Sequence, residues 1–399
     1  MPVRATQRGD ARTPLHGSYG VLICGASFAG LAAARELAGS GAEVMVLDRY
    51  EIGERQTSAC GIPTDWLRAM DLMDAERQRF DSLVMHTAHG TTRYRLPWSF
   101  STFDYRELCE LLWRGCDASF ETAKVSGRAV PANGNGSAIA VETDRGVLSS
   151  PLVVDALGWR RVLAADGGFQ PPDAPLSRGL EVHPNGAGED LEIWIDRRYV
   201  AAGYGWSFPA RDEVRVGIGS FDPRFHVRRT TELLAEDLGR DSVRYQGNWI
   251  PHRLRQATEG GVFFAGDSAG HCLPLTAEGI RTAVYFGNFL GRELRAVVEG
   301  RQDRERAAAS YAAFHDSHEW KFRSLLRVQR LVPRIPPRVL GPIIRLLGTK
   351  RFVDWSFGHY LRIAPPPASA HHQDRPGKQQ NDADDALRSE GDLVEAKQA

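Results

Sequence analysis

The segment that most constrains the fold spans residues 21–48, where an apolar strand, a glycine-bearing turn, an alanine-rich helix and a second strand follow one another. Gly25 allows the tight turn, and Gly30 lets the helix pack close to the first strand. The helix amino terminus then presents free N–H groups and positive dipole to a pyrophosphate. Asp48 lies about twenty residues beyond the turn, where a carboxylate can accept hydrogen bonds from both hydroxyls of an adenosine ribose. The pattern predicts a dinucleotide-binding unit.

The turn departs from the usual glycine pattern at one position, because Ser27 stands where the middle glycine is expected. Serine is small enough for the backbone to approach a pyrophosphate. The alternative is an ordinary buried strand and helix joined by a turn of small residues. We favour the dinucleotide site because strand, turn, helix, second strand and acidic residue are all present. Alone, the unit does not distinguish FAD from NAD(P).

Composition narrows the class of protein. The 399 residues suffice for two packed domains, and the 50 basic and 50 acidic residues cancel, so nothing favours nucleic acid as a partner. Five cysteines show no CxxC spacing, and no metal site is predicted. Residues 1–18 lack the apolar core of a secretory signal, and no apolar run is long enough to span a bilayer. We therefore expect a cytoplasmic protein with free thiols.

The remaining chain alternates strand and helix patterns. Short strands divided by turn residues between positions 180 and 221 predict an antiparallel sheet laid over a pocket. Residues 133–136 predict a hairpin turn between two strands. The regions 277–299 and 303–332 each predict a long helical region. The tail from Pro365, with almost no large apolar residues, is expected to be disordered.

A second motif follows an apolar strand that ends in Gly266 and Asp267, after which a proline-containing loop leads into a helix. Asp267 can accept a hydrogen bond from a ribityl hydroxyl of a flavin. Backbone N–H groups around residues 278–280 can face the flavin pyrimidine edge, where the helix dipole would stabilise the negative charge of reduced flavin. A Gly-Asp pair at a strand end could also be only a turn. One FAD molecule, however, explains both motifs.

Further segments carry a resemblance to a known family. The segments are residues 25–30, VVDALG (153–158), GDSAG (266–270), GYGWSFP (203–209), and ACG (59–61) together with PLTAEGI (274–280). In their order, the first three resemble the FAD-binding fold of aromatic hydroxylases of the p-hydroxybenzoate hydroxylase type. The others are similar to the geranylgeranyl reductase branch of that family. In this branch a Tyr-x-Trp-x-Phe-Pro strand and a Cys-Gly loop lie near the isoalloxazine.

The resemblance implies a set of FAD contacts. Arg106 would bind the phosphates, and the Val125 backbone would contact the adenine. Two departures from the branch are Ala277, where glycine is usual, and residues 156–158, which replace a simpler Asp-Gly form. The implied FAD-binding residues are Gly25, Ala26, Ser27, Phe28, Ala29, Gly30, Asp48, Arg49, Cys60, Gly61, Arg106, Val125, Asp155, Gly266, Asp267, Pro274, Glu278, Gly279 and Ile280.

The fold that the resemblance implies belongs to the α/β class. It comprises a three-layer, Rossmann-like FAD-binding domain of the GR2 type, an inserted antiparallel β-sheet substrate domain and C-terminal helices. The expected parts are a flexible amino terminus (1–17), a discontinuous FAD-binding domain (18–81, 101–176 and 256–300), a substrate or cap sheet (82–100 and 177–255), a helical region (301–364) and a disordered tail (365–399).

Cys60, Tyr204 and Trp206 are the candidate catalytic residues. Tyr204 and Trp206 share one face of a predicted strand, and they either shield a flavin from water or form core beneath the sheet. Cys60 is either an inert small residue or a polarisable group that contacts the flavin or a substrate alkene. The expected partner is a hydrophobic or prenylated small molecule.

The chemistry depends on what else the chain carries. No second complete dinucleotide fingerprint appears, so NADPH or NADH would bind transiently as the reductant of FAD. No cysteine pair flanks the flavin motifs, which argues against a disulfide reductase. A flavin halogenase needs a lysine, and Lys124 is the only one before position 321. We predict an FAD-dependent reductase of isoprenoid carbon–carbon double bonds. The alternatives are a monooxygenase acting on a hydrophobic substrate and a catalytically silent, membrane-associated flavin-binding protein.

Residues 321–352 contain nine Lys or Arg and no Asp or Glu, interleaved with aliphatic residues. Such a segment can lie on an anionic membrane surface, where each basic residue contributes about 1 kcal/mol. The alternative is a solvated basic face on helices that pack against the core. Peripheral membrane contact would favour a polyisoprenoid substrate. The sequence does not predict an oligomeric state.

Overall fold

The computed structural model describes residues 13–56, 58–129, 138–164 and 176–367. The predicted turn at 133–136 and almost all of the predicted tail lie outside these ranges. The strands, in chain order, are β1 (Gly17–Ser18), β2 (Val21–Cys24), β3 (Val44–Asp48), β4 (Gly61–Pro63), β5 (Glu76–Thr87), β6 (Gly90–Phe103), β7 (Ser119–Thr122), β8 (Val125–Ala129), β9 (Ile139–Thr143), β10 (Gly146–Ser150), β11 (Leu152–Asp155), β12 (Leu176–Val182), β13 (Leu191–Ile195), β14 (Gly203–Ala210), β15 (Glu213–Ser220), β16 (Gln246–Pro251), β17 (Thr258–Glu259) and β18 (Val262–Phe264).

Nine α-helices lie within the described residues, and five of them follow one another in the carboxyl-terminal third of the chain. In chain order they are α1 (Phe28–Glu36), α2 (Thr64–Ala69), α3 (Tyr105–Arg114), α4 (Arg228–Asp237), α5 (Ile280–Val298), α6 (Arg304–Asp316), α7 (Glu319–Leu331), α8 (Pro337–Leu347) and α9 (Lys350–Leu361). Within the described ranges, no helix is both long and apolar enough to cross a membrane.

A six-stranded sheet in the order β17–β18–β11–β2–β3–β7 forms the middle layer of the first domain. All its pairs are parallel except the edge pair of β17 and β18. Alternate side chains of β2 point to opposite layers. Val21 and Ile23 pack with the helices, whereas Leu22 and Cys24 pack with a four-stranded sheet in the order β1–β10–β9–β8. The predicted three-layer α/β architecture is therefore confirmed.

The helix layer depends on small residues where α1 and α5 meet. A Cβ atom added at Gly287 would lie 2.6 Å from the Ala29 carbonyl oxygen. One added at Gly291 would lie 2.7 Å from the Ala33 carbonyl oxygen and 2.6 Å from the Glu36 Cβ atom. Side chains at these two positions would therefore push the helices apart.

A second sheet has eight strands in the order β16–β12–β15–β14–β13–β5–β6–β4. It is antiparallel, as predicted, except for the parallel pair of β5 and β13. Helix α4 covers one face, where Val216 and Ile218 pack with Leu234. The opposite face carries Tyr204 and Trp206. Strand β4 at the edge continues directly from the Cys60 loop, which joins this sheet to the first domain.

Several boundaries differ from the sequence expectation. Strands β5 and β6 include residues 76–81 and 101–103, which were expected in the FAD-binding domain. The region 303–332 forms two helices, because the side chains of Ser317 and His318 approach the Phe314 carbonyl oxygen and compete for it at the end of α6. The amino terminus was expected to be flexible through residue 17, but the Leu15 N–H, ahead of β1, already donates to the Arg145 carbonyl oxygen at 2.7 Å.

We expect Gly291→Ala to lower the free energy of unfolding by about 1–3 kcal/mol, because the added methyl group overpacks the contact between α1 and α5. Gly358→Ala is the matched control. Gly358 also lies inside a helix, but an added Cβ would meet no atom within 4 Å beyond the backbone of its own helix, so alanine should be neutral or stabilise by up to about 1 kcal/mol. Urea unfolding of both variants measures the difference. Equal effects would contradict the close approach of the two helices.

Candidate flavin site

The turn after β2 is built around two glycines. Gly25 has a φ of +116°, and a Cβ atom there would lie 2.2 Å from the Ala156 carbonyl oxygen. A Cβ atom at Gly30 would lie 1.9 Å from the Gly25 carbonyl oxygen. Ser27 is the N-cap of α1, but its side chain makes no capping hydrogen bond and lies 3.1 Å from the Tyr105 hydroxyl. The first turn of α1 is thus a backbone cradle suited to a pyrophosphate.

Asp48 lies beside this cradle. Its carboxylate accepts hydrogen bonds from the N–H groups of Ala26 at 2.8 Å and Tyr50 at 3.0 Å, and burial raises its pKa. The Ala123 N–H donates to the Asp48 carbonyl oxygen at 2.7 Å, which brings the buried Val125 into the same corner. The structure therefore brings together the predicted ribose acid, the turn and the predicted adenine contact.

Both arginines predicted to bind FAD lie at the surface near this corner. The Arg49 guanidinium lies over the Tyr50 ring at 4.8 Å. The Arg106 guanidinium donates to Glu110 at 2.7 Å, and 70% of its side chain is exposed. The neighbouring Tyr105 is the residue that contacts the turn. The structure thus places α3 against the cradle without bringing the Arg106 guanidinium onto it.

Two acidic residues lie where the neighbouring parallel strands β11 and β18 end, at the same sheet edge as the cradle. Asp155 ties two loops together, because its carboxylate accepts hydrogen bonds from the Leu157 and Leu163 N–H groups and the Ser268 hydroxyl at 2.7–3.0 Å. The departure from the Asp-Gly form at residues 156–158 is accommodated by this arrangement. Asp155 therefore has a structural role in addition to its predicted proximity to FAD.

Asp267 has a different environment. Its carboxylate makes no hydrogen bond with the described part of the chain, and burial raises its pKa from 3.8 to about 6, although Arg255 opposes the shift. Asp267 is only partly buried, so this unused acceptor capacity is open to a ligand that can donate a hydrogen bond. A ribityl hydroxyl of FAD would supply that donor. This observation and the glycine cradle together show that the residues fit the cofactor.

The loop between Pro274 and Gly279 precedes α5. Leu275 and Ala277 adopt left-handed backbone conformations with φ of 70° and 52°, so alanine replaces the usual glycine at a position that favours glycine. No side chain caps α5 at Gly279, which leaves its amino terminus available to a flavin pyrimidine edge.

The Glu278 carboxylate is not available to a flavin. It forms two hydrogen bonds with the Arg281 guanidinium at 2.7 and 2.9 Å and accepts another from the Tyr360 hydroxyl of α9. The Glu278 backbone remains the part of this residue expected to face the flavin.

Cys60 is fully buried and has a φ of 55°. Its thiol donates to the Ser58 carbonyl oxygen at 3.0 Å, and burial raises its pKa well above the ordinary value. A Cβ atom at Gly61 would lie 2.4 Å from the Phe100 ring, so this position requires glycine unless the ring moves. The thiol is therefore neutral, which suits a packing contact and not a thiolate nucleophile.

Tyr204 and Trp206 lie on the sheet face opposite α4. Both are partly exposed, and their ring centroids are 6.0 Å apart. Gly217 and Gly219 lie opposite them on β15, which leaves room for the rings to lie across the sheet. The Tyr204 hydroxyl donates to the Thr276 carbonyl oxygen at 2.6 Å. The aromatic strand thus contacts the loop that precedes α5, which favours a wall over a simple core.

A buried polar network on this face was not predicted from the sequence. It consists of Glu181 and His183 on and just after β12, and Glu213 and Arg215 on β15. Charged residues two positions apart on neighbouring strands were the available signal. Recognising it required the register of β12 with β15, which the sequence does not reveal.

Comparisons with known proteins bear on the cofactor and the fold. Residues 18–95 match the family model of an FAD-binding domain. The chain is 24% identical over 376 residues to digeranylgeranylglycerophospholipid reductase 3 of Methanosphaera stadtmanae, covering 86% of this chain and 94% of that protein. It is 27% identical over 143 residues to geranylgeranyl diphosphate reductase of Rhodobacter capsulatus, covering 35% and 36%.

Solved structures share the fold. A geranylgeranyl bacteriochlorophyll reductase-like protein from Thermoplasma acidophilum superposes with a TM-score of 0.74 at 15% identity, covering 88% of this chain and 98% of that one. A probable FAD-dependent monooxygenase, PqsL of Pseudomonas aeruginosa, superposes with a TM-score of 0.63 at 17% identity, covering 82% and 99%. These findings confirm the predicted resemblance and fold, and the chain is an FAD-dependent oxidoreductase.

We expect Asp267→Asn to weaken FAD binding, because an amide is a poorer acceptor for a ribityl hydroxyl than a carboxylate. The same change should stabilise the FAD-free protein. Since burial raises the pKa of Asp267, ionising it destabilises the folded state above about pH 6 but not below pH 4. The gain in the free energy of unfolding should therefore approach about 3 kcal/mol at pH 8 and vanish at pH 4.

Denaturation at the two pH values and titration with FAD measure both effects. Asp155→Asn is the control, because Asp155 is fully buried and its carboxylate already accepts three hydrogen bonds. An amide cannot accept all three, so this variant should lose stability at pH 8, whereas Asp267→Asn gains stability. Unchanged FAD affinity of the Asp267 variant would refute its placement at the cofactor.

Proposed function

We propose that this chain is a reductase that uses NADPH or NADH to reduce FAD and then saturates carbon–carbon double bonds of an isoprenoid chain. The observation that carries the proposal is the contact between Tyr204 and Thr276, because it joins the aromatic strand to the loop expected at the flavin. The named relatives support the substrate class. Digeranylgeranylglycerophospholipid and geranylgeranyl diphosphate both carry isoprenoid chains.

Bound FAD would supply hydride chemistry, and the residues of the chain would hold and shield it. The cradle at Gly25 would bind the pyrophosphate, Asp48 the adenosine ribose and Asp267 the ribityl chain. The amino terminus of α5 would stabilise negative charge at the pyrimidine edge. In this proposal the partly exposed Trp206 forms one wall of the space for the alkene, and the loop that carries the buried Cys60 forms another.

Other flavin chemistries are less well supported. Lys124, the only lysine before position 321, is exposed between β7 and β8, away from the aromatic strand, which disfavours a halogenase. A monooxygenase is the remaining rival, because the solved neighbours of this fold include one. Its dependence on dioxygen provides the test that separates it from the reductase.

Residues 320–355 form the surface that we propose contacts an anionic bilayer. Of the ten large hydrophobic side chains exposed in the described part of the chain, seven lie here, including Leu346 at 68% and Trp355 at 59% exposure. Seven of the nine basic residues between 321 and 352 have no ion-pair partner among the described residues; Arg323 and Lys350 are the exceptions. Exposed apolar groups among unpaired cations suit a membrane surface.

Anaerobic incubation of the FAD-loaded protein with NADPH or NADH tests the reductase. The substrates are a geranylgeranylated glycerophospholipid and a prenylated quinone, and mass spectrometry follows the products. We expect a gain of two hydrogens for each reduced double bond without dioxygen. Reactions lacking the nicotinamide are the control. Product that forms only when dioxygen is admitted, with a gain of oxygen, would replace the reductase by the monooxygenase.

Charge reversal tests the membrane surface. We expect Arg334→Glu combined with Arg338→Glu to weaken binding to phosphatidylglycerol vesicles at least about 10-fold, because each cation near the surface contributes about 1 kcal/mol. Vesicle flotation measures the binding. Arg160→Glu combined with Arg229→Glu changes the net charge equally at exposed positions elsewhere. Equal losses for the two pairs would show that net charge, and not this surface, causes attraction to the vesicles.

A further inference from the structure

The buried polar network lies on the face of the second sheet opposite α4, and the function proposed above gives it no role. Its members are largely hidden from solvent: the exposed fraction of the side chain is 2% for Arg215, 3% for His183, 5% for Glu181 and 21% for Glu213. Burying ionic groups is often no more stabilising than packing apolar residues of similar size. Their presence at this position therefore indicates a geometric task.

The network forms one chain of contacts across this face of the second sheet. It begins at Trp206 and ends at two carbonyl groups of the Cys60 loop. Trp206 Nε1 donates to the Glu181 carboxylate at 3.2 Å, and the other Glu181 oxygen lies 2.9 Å from His183 Nε2. His183 Nδ1 lies 3.9 Å from the Glu213 carboxylate, which accepts a hydrogen bond from Arg215 Nε at 2.9 Å. The Arg215 guanidinium then donates to the carbonyl oxygens of Ala59 at 2.9 Å and Cys60 at 3.5 Å.

The Cys60 loop needs such support. Cys60 is not glycine, yet its φ is 55°, a conformation that costs a side-chain-bearing residue about 1–2 kcal/mol. Such conformations persist where the surroundings over-determine them. The Phe103 N–H also donates to the Cys60 carbonyl oxygen, at 3.0 Å. Arg215 adds the side chain that links this strained loop to the strand beside Trp206.

The charges around Arg215 hold its guanidinium in one orientation. Glu213 binds its Nε atom from the same strand, and Arg244 approaches the other Glu213 oxygen at 3.8 Å. The planar fork of arginine can therefore bind a carboxylate and backbone carbonyls at once. A lysine at this position would keep the charge but not this geometry.

We propose that Arg215 is a positioning residue that fixes the Cys60 loop relative to Trp206, and that Glu181, His183 and Glu213 hold the arginine and the indole in register. The consequence for catalysis rests on the proposed function, because it requires the alkene to lie between Cys60 and Trp206. The effect of Arg215 on the position of the loop does not depend on the proposed function.

Thiol labelling tests the effect on the loop. The FAD-saturated protein is treated with iodoacetamide, and peptide mass spectrometry follows each cysteine. We expect Arg215→Met to speed labelling of Cys60 roughly 10- to 100-fold, because the Ala59 carbonyl oxygen loses its side-chain donor and the Cys60 carbonyl oxygen keeps only the Phe103 N–H. Arg215→Lys should give an intermediate rate. Cys24 and Cys109, which are buried in the first domain, should keep their wild-type rates in both variants.

The matched control is Glu192→Gln, which removes the carboxylate of another Glu–His pair on the opposite face of the same sheet. His86 lies 3.0 Å from Glu192 there, and this change should leave Cys60 protected. An unchanged Cys60 rate in Arg215→Met would overturn the proposal. So would a parallel increase at Cys24 and Cys109, because that result would mean global loosening.

Kinetics provide the second readout. In Arg215→Met the rate of FAD reduction by the nicotinamide should stay within about 2-fold of wild type, while product formation falls roughly 10-fold or more and Arg215→Lys recovers part of it. If the wild-type protein reduces no isoprenoid, the proposed function fails while the labelling result still decides the role of Arg215.

Discussion

The close approach of backbone to backbone at Gly25 and Gly30 is the constraint on which the rest of the structure depends. Without a side chain at either position, α1 lies directly against β2, and the turn lies against the Ala156 carbonyl oxygen at the end of β11. The position of α1 in turn fixes α5, because Gly287 packs on the Ala29 carbonyl oxygen. A local requirement of the first motif therefore places the helix that begins some 250 residues later, beside the same sheet edge.

Two kinds of contact join the second sheet to this framework. Hydrogen bonds to backbone carbonyls fix loops: Tyr204 binds the loop before α5, and Arg215 binds the Cys60 loop. A buried ion pair fixes the carboxyl-terminal helices, because Arg281 pairs with Glu278 and also donates to the carbonyl oxygens of residues 361 and 364. The loop before α5 is therefore held by contacts with the second sheet and with α9.

The sequence predicts best what depends on short-range chemistry. The turn at Gly25 and the strand ending near Asp267 each need particular residue types within a few positions, and both occur where expected. The break between α6 and α7 was not predicted, because helical periodicity continues through Ser317. Only the structure shows that the side chains of Ser317 and His318 compete for the Phe314 carbonyl oxygen. The Arg215 network was missed for another reason. Its meaning depends on pairing between strands that lie more than thirty residues apart in the chain.

The charge distribution around the site also bears on the substrate. Among the described residues, Glu278 and Arg281 neutralise each other, Glu213 is bound by Arg215, and burial keeps the thiol of Cys60 and the hydroxyl of Tyr204 protonated because it raises both pKa values. The charged groups on the walls that the two sheets present to each other are therefore mostly paired within the chain, and the exception is Asp267, which we place at the ribityl chain of FAD. An ionised substrate would lose solvation there without gaining a partner, whereas an apolar alkene would lose nothing. For the proposed reductase, this asymmetry favours the isoprenoid chain itself, and not a polar head group, as the part of the substrate that enters between Cys60 and Trp206.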